Sequence, residues 1–268
     1  MAELVYLYGV IPAKELKKEA FPVVKGLDQQ HKVYPLAVNN TLAVVCHLDD
    51  QDYSEESIKE KMNNDMEWLR EKAFHHHEML IALNERYNVI PMKFCTIFAN
   101  EENLRETIEK NEEKLLRSFS LIDGSEEWNL KIYCDDTVLK SYISANNANI
   151  EAKKEEISQF PPGKQYFAKR KIEQMVDKEL EKEKDKVCEN AHAQLRQFSL
   201  HETIKKNWNK DVTGREDNMS WNSVYLVPVS HVTGFLQKIN ELKDTWANLG
   251  WKFEATGPWP AYHFAGLS

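Results

Sequence analysis

The chain has few of the features from which a function is usually read. Only four of its 268 residues are cysteine. Cys46, Cys95, Cys134 and Cys188 form no C-x-x-C pair, and three of them sit in apolar, strand-like runs. Reduced core thiols are therefore expected, with neither a disulfide framework nor a zinc site. No segment approaches the roughly 18 uninterrupted apolar residues of a membrane span. The opening residues Met1–Val10 contain an acid and no basic stretch, so they carry no secretory signal, and a cytoplasmic protein is expected. There is no G-x-x-x-x-G-K-[ST], G-x-G-x-x-G or G-x-S-x-G, which leaves phosphate loops and nucleophile elbows without support. Gly163-Lys164 reads as a loop joining helices. An uncompensated basic patch is missing too. The net charge is −8, with 15 basic and 22 acidic side chains in residues 1–124 (net −7) and net −1 in the remainder. The basic residues from Lys164 to Lys186 alternate with nearly equal acids, the pattern of a solvated helix, so nucleic acid is not an expected partner.

What the chain does have is periodicity. Strands are predicted at Leu4–Val10, Val33–Leu36 and Leu42–Cys46, the last two joined by a turn at Asn39-Asn40. A long helix follows, with Met62, Met66, Leu69, Ala73, His76 or His77, Leu80, Asn84 and Tyr87 on its buried face. Val89–Cys95 reads as a strand whose Pro91 favours an edge or starting position. The next helix has Asn100 as N-cap and a face of Leu104, Ile108, Leu115 and Phe119. Asp123-Gly124-Ser125 is a turn and the expected domain boundary.

The second half starts with a clean alternation, Trp128, Leu130, Ile132 and Cys134 against Asn129, Lys131 and Tyr133. A charged helical region over about 148–205 breaks at Pro161-Pro162-Gly163. Its narrow stripe of Ile172, Val176, Leu180, Val187, Ala191, Leu195 and Phe198 suggests two arms folded back as a hairpin. Strands are expected near Trp208–Val212 and Ser223–Val229. Then comes a helix capped by Ser230, with Phe235, Ile239, Leu242 and Trp246 on one face, ending at Gly250. In the closing segment Trp251, Phe253 and Ala255 alternate with Lys252, Glu254 and Thr256, and Gly257-Pro258 stops the strand. The order β, long α, β, β, α, β is that of a split βαβ, or ferredoxin-like, sandwich. The first half has similar contents in another order. The reading is two α+β ferredoxin-like domains, 1–123 and 124–268, the second with a helical hairpin insertion and an aromatic C-terminal tail.

Few residues are candidates for chemistry. His75-His76-His77-Glu78 looks most like a metal site. Adjacent helical residues point about 100° apart, so three consecutive histidines cannot converge on one ion, and zinc helices use an i, i+4 pair. One histidine on the core face and the others exposed is the expected outcome. A metal-assisted enzyme using His75–Glu78 stands as the alternative reading. Asp49-Asp50-Gln51-Asp52 lacks the glycine and distal glutamate of an EF-hand and leads into a helix N-terminus. Cys95 needs a basic partner to serve as a nucleophile, and a buried strand cysteine is the plainer reading. No catalytic, cofactor-binding or metal-binding residue is assigned. The tail remains, and there Trp259, Tyr262 and Phe264 must dock either on their own domain or on a partner. An intramolecular clamp is favoured, with Phe264 left free.

Several segments together resemble the gas vesicle protein F/L family, accessory and minor structural proteins of gas-filled protein shells. They are Tyr6-Leu-Tyr-Gly-Val10, His77-Glu78, Ile90-Pro-Met-Lys-Phe-Cys-Thr-Ile-Phe98, Glu127-Trp-Asn-Leu-Lys-Ile-Tyr133, Tyr225-Leu-Val227 and, most specifically, Glu254-Ala-Thr-Gly-Pro-Trp-Pro-Ala-Tyr262. Two positions depart from the family pattern: Cys95 stands where glycine is usual, and Ala261 where a second proline is usual. The resemblance implies two ferredoxin-like domains and a non-enzymatic part in gas vesicle formation, without cofactors. It also implies the major shell protein and other accessory gas vesicle proteins as partners, with no membrane partner, and a cytoplasmic location on the vesicle.

Overall fold

The computed structural model describes residues 3–16, 21 and 23–266. The chain forms two compact units, one running to Glu127 and taking in the chain from Pro258 onward, the other Trp128–Gly257. The expected boundary at Asp123-Gly124 thus lies slightly early, and the tail counts with the first unit rather than the second.

The first unit opens with β1 (Glu3–Pro12), followed by β2 (Tyr34–Val38) and β3 (Thr41–Asp49). Helices α1 (Asp50–Tyr53), α2 (Glu55–Asn64) and α3 (Met66–Asn84) come next. The short strands β4 (Ile90–Pro91) and β5 (Ile97–Phe98) precede α4 (Glu101–Lys110) and α5 (Glu112–Ile122). The strand order is β2-β3-β1-β4, with β5 also paired to β1. β1 and β3 are buried nearly end to end, which explains their almost continuous apolar sequence. A bulge at Tyr8 interrupts the register between Leu7–Val45 and Gly9–Val44. It shifts the alternation, so Tyr6, Tyr8 and Ile11 share one face and pack with Val44, Cys46, Leu80 and Val89. Gly9 lies on that face, and a Cβ there would come within 2.9 Å of both the Ile90 carbonyl and the Val89 side chain. The sheet and the turn before β4 can approach this closely only over glycine.

β1 and β3 run antiparallel, and no α-helix is seen between β1 and β2 among the described residues. Because β2 also runs antiparallel to β3, β1 and β2 are parallel with β3 between them and β4 flanks β1 on the other side, which is the strand order of a split βαβ sheet. The single long helix expected here is two, because Asp65 closes α2 and caps α3 by accepting from the Trp68 N–H. The break moves the helical phase, so Met62 and Met66 are exposed and the core takes Ile58, His76, Met79, Leu80 and Leu83. The expected strand Val89–Cys95 pairs only at Ile90–Pro91 before the chain turns. Asn100 caps α4 as expected, and Leu104, Ile108, Leu115 and Phe119 are buried.

The second unit is built on β6 (Ser125–Cys134), followed by α6 (Asp136–Asn146), α7 (Ala148–Ser158) and α8 (Pro162–Leu195). Then come β7 (His201–Ile204), α9 (Lys210–Thr213), β8 (Asn218–Pro228), α10 (Val229–Trp246) and β9 (Trp251–Trp259). The sheet order β7-β8-β6-β9 places the first and third strands of the unit side by side and the second and fourth at the edges. That is the split βαβ arrangement. The α8 stripe holds: Val176, Leu180, Val187, Ala191 and Leu195 are buried in one cluster with Trp128, Leu130, Ile132, Tyr225 and Phe235.

Four details differ from the sequence reading. The helical region ends at Leu195, and β7 occupies His201–Ile204 within the span read as helix. Residues 208–212 are not a strand, because Asn209 caps the short α9. α10 begins at Val229, before Ser230, which lies inside the first turn. β9 also runs past Gly257-Pro258 to Trp259. A proline without its N–H is tolerated there because β9 is an edge strand. Among the described residues no helix is long and apolar enough to cross a membrane.

Candidate functional site

The tail and the histidine run meet within the first unit. After β9 the chain turns at Pro260, with the Ala265 N–H donating to the Ala261 carbonyl at 3.0 Å. Ala261 is buried. The turn aims Tyr262 at α3, where its hydroxyl shares a 2.8 Å hydrogen bond with His77 Nδ1. The two rings stack with centroids 6.0 Å apart, and Trp259 lies 5.4 Å from the same imidazole. Burial, reinforced by the charge of Glu127, raises the Tyr262 phenol above its ordinary range. Phe264 is half-buried and has a partner of its own, so it is not left free.

Two residues that the sequence reading did not single out complete the clamp. Glu127, fully buried, receives the His263 backbone N–H at 2.9 Å on one oxygen. Its other oxygen lies 2.7 Å from His263 Nδ1. Glu127 is flanked by Glu126 and a strand tryptophan, and nothing in its local pattern separates it from a solvated acid.

The other two histidines point elsewhere. His76 Nε2 is 3.1 Å from the Met92 carbonyl, and His76 Nδ1 is 2.7 Å from the Tyr6 hydroxyl. Burial lowers its pKa to about 4. His75 Nε2 reaches the Tyr8 hydroxyl at 3.1 Å. His75, His76 and His77 thus face three different partners, as consecutive helical positions must. Among the described residues no three His, Cys, Asp or Glu side chains are grouped to hold a metal ion. Asp49 is spent as the cap of α1, accepting from the Gln51 N–H at 2.9 Å.

Cys95 is not a strand residue. It is the third residue of a turn closed by the Thr96 N–H on the Lys93 carbonyl, and its φ is +63°. Turns of this kind favour glycine at that position, since a Cβ is strained there. Burial pushes the thiol up to about 11, which keeps it protonated and poorly nucleophilic. Cys95→Gly relieves the strain and leaves the Cys95 N–H on the Tyr6 hydroxyl in place. A stabilisation of about 0.5 to 1 kcal/mol is expected, offset in part by the greater freedom of glycine in the unfolded chain. A higher urea midpoint at unchanged m-value would show it.

Beside the docked tail lies a cavity of about 380 Å³ lined by Pro91, Met92, Thr96, Phe98, Tyr262 and Ala265. Its wall is mostly apolar, and it opens next to the partly exposed Tyr262 ring. The arrangement suits an apolar side chain from a partner better than a polar small molecule.

Comparison with known proteins gives one pattern. A family model described as "Gas vesicle synthesis protein GvpL/GvpF" matches residues 4–266. Gas vesicle protein L of Streptomyces sp. (strain CB03234) is 22% identical over 217 residues, covering 81% of this chain and 77% of that protein. The crystal structure of GvpF from Anabaena sp. PCC7120 superimposes with a TM-score of 0.73 at 15% identity, covering 99% of both chains. GvpF from Microcystis aeruginosa gives 0.65 at 16% identity, covering 99% of this chain and 100% of that one. At such identities the solved structures speak for the fold.

Proposed function

Because the chain belongs to the gas vesicle synthesis protein GvpL/GvpF family, and with it takes part in gas vesicle formation, we infer that its role there is non-enzymatic. It acts as a cytoplasmic, vesicle-associated accessory or minor structural protein. It holds the amphipathic shell protein, and other accessory proteins, during nucleation and growth. Shell subunits carry apolar surface that ends facing gas, and free in water that surface aggregates. A protein that covers it in passing needs an apolar recess on a rigid frame.

The observation that supports this reading most is the groove between β5 and the docked tail, bounded by Met92, Phe98 and Tyr262. The clamp of Trp259 and Tyr262 on His77 holds one wall in place. The residues that would otherwise suggest catalysis are committed elsewhere: the histidines to separate hydrogen bonds, and the Cys95 thiol to its protonated form.

A pull-down with purified shell protein tests the reading. Phe98→Ser, which empties one wall, and Trp259→Ala with Tyr262→Ala, which releases the clamp, are each expected to lower capture about tenfold, roughly one apolar anchor's share of binding energy. Wild-type capture by both variants, with folding confirmed by circular dichroism, would remove groove and tail from the mechanism.

A further inference from the structure

Within this acidic chain the helical hairpin carries a basic stretch. Residues 157–172 contain Lys164, Lys169, Arg170 and Lys171 and no acid, and all four side chains are exposed. They stand at the tip of the hairpin formed by α7 and α8. Farther along α8 the lysines are neutralised within a turn, Lys182 by Glu179 and Lys186 by Glu183. The tip also carries two rings with no core to enter. Tyr166 and Phe167 are each 75% exposed and meet edge to face at 5.6 Å. Behind them a cavity of about 490 Å³ is floored by Ile157 and Ile172 and rimmed by Lys154 and Lys169.

A complementary surface lies on the first unit. The break at Asp65 leaves Met62, Met66 and Phe74 facing water, at 40%, 64% and 60% exposure. Glu67, Glu71 and Glu78 stand seven and three residues before and four after Phe74, which puts them around its ring on the same helix face. Two cations stand among them, Arg70 and Lys72, and Lys72 is already paired with Glu71 at 2.9 Å, so Glu67 and Glu78 carry most of the uncompensated charge. Flexible methionines beside an exposed phenylalanine make an adaptable apolar ridge, and here it is edged with negative charge.

We propose that the hairpin tip of one copy docks on the α3 ridge of a second copy. Tyr166 and Phe167 cover Met66 and Phe74, and Lys164, Lys169, Arg170 and Lys171 face Glu67, Glu71 and Glu78. Tip against tip would oppose four cations to four cations, and ridge against ridge would oppose carboxylates. Only the unlike pairing is attractive. Such a contact is heterologous: it uses the tip of one copy and the ridge of the other, so the pair keeps one free ridge and one free tip and copies add head to tail. Two rings and a short helix face fall below the roughly 800 Å² per partner of a standard interface, so the association is weak and salt-sensitive.

Sedimentation velocity of the full chain tests the proposal at concentrations up to about 1 mM, the weak end expected of so small a patch. At low salt the wild type is expected to associate with rising concentration, and about 0.5 M salt is expected to weaken this at least tenfold. A tip variant (Phe167→Ser, Lys169→Gln, Lys171→Gln) and a ridge variant (Phe74→Ser, Glu67→Gln, Glu78→Gln) should each be monomeric alone. Mixed, they should form a 1:1 dimer and nothing larger, through the one intact tip and the one intact ridge. All substitutions are at exposed positions, and an unchanged melting curve confirms that each variant folds. A wild type that stays monomeric at low salt would overturn the proposal. So would either variant associating alone, or a mixture that stays monomeric.

Discussion

Lowering the pH from about 6.5 to about 4 is expected to cost the first unit about 3 kcal/mol of stability, and His76 is the reason. The imidazole is buried. Met92 offers only a carbonyl, so Nε2 must carry the hydrogen and donate, which leaves Nδ1 to accept from the Tyr6 hydroxyl. That hydroxyl in turn accepts the Cys95 N–H at 3.3 Å. The chain of bonds is complete with a neutral ring. A protonated ring would present a second N–H to Tyr6, whose own hydrogen would then lose its acceptor. Burial is the larger cause of the shift, and the neighbouring His75 and His77 add to it. The sign follows directly. The folded-state pKa lies below the unfolded value, so the contribution is fully present above about 6.5 and is lost as the pH falls towards about 4, where the unfolded chain binds the extra proton. His76→Gln keeps a donor near Met92 and cannot titrate. It should be less stable than wild type at pH 7 by about 1 to 2 kcal/mol, through the orphaned Tyr6 hydroxyl. The gap should narrow or reverse near pH 4. Urea unfolding at stepped pH measures it, and parallel curves for the two proteins would show that His76 does not titrate in this window. Some slope remains in the variant, because burial also lowers the pKa of His75.

How much of this was legible in the sequence depends on how local the controlling interaction is. The β6 alternation, the α8 stripe, the Asn100 cap and the Gly250 helix stop are written within one or two turns, and the structure follows them. The failures occur where a local pattern crosses a break. The apolar spacing continues smoothly through Asp65, yet the chain changes phase there, and Met62 and Met66 turn outward. Pro91 and Cys95 end a run that is apolar enough for a strand, one by lacking a ladder donor and the other by adopting positive φ. β7 was hidden because it is four residues long, lies at an edge and is largely polar. The candidate site was legible in its pieces only. The tail plainly had to dock, but its partner His77 lies 185 residues away in sequence, and Glu127 stood only at the head of a family-like segment, with nothing in its pattern to tie it to the tail.

Glu127 is also where the other large effect is expected. A carboxylate with no exposed side-chain surface is held by two donors, both from His263. Removing the imidazole leaves the backbone N–H as the remaining donor to a buried charge, and breaking such a pair costs more than the pair contributes. His263→Ala is therefore expected to destabilise the first unit by about 2 to 3 kcal/mol, in the range of a lost hydrogen bond to a charged group. Glu127→Gln with His263 intact should cost less, because it removes the charge together with the need to compensate it. The order of the two effects matters more than their size, since a clamp made only of stacked rings would make both small. His263→Ala should also loosen the tail, because the imidazole contact that ties it to Glu127 beside the Trp259 and Tyr262 rings is lost. Limited proteolysis is expected to cut the variant between Gly257 and Tyr262 under conditions that leave the wild type whole. Equal resistance would mean that the rings, and not the Glu127–His263 hydrogen bonds, fasten the tail.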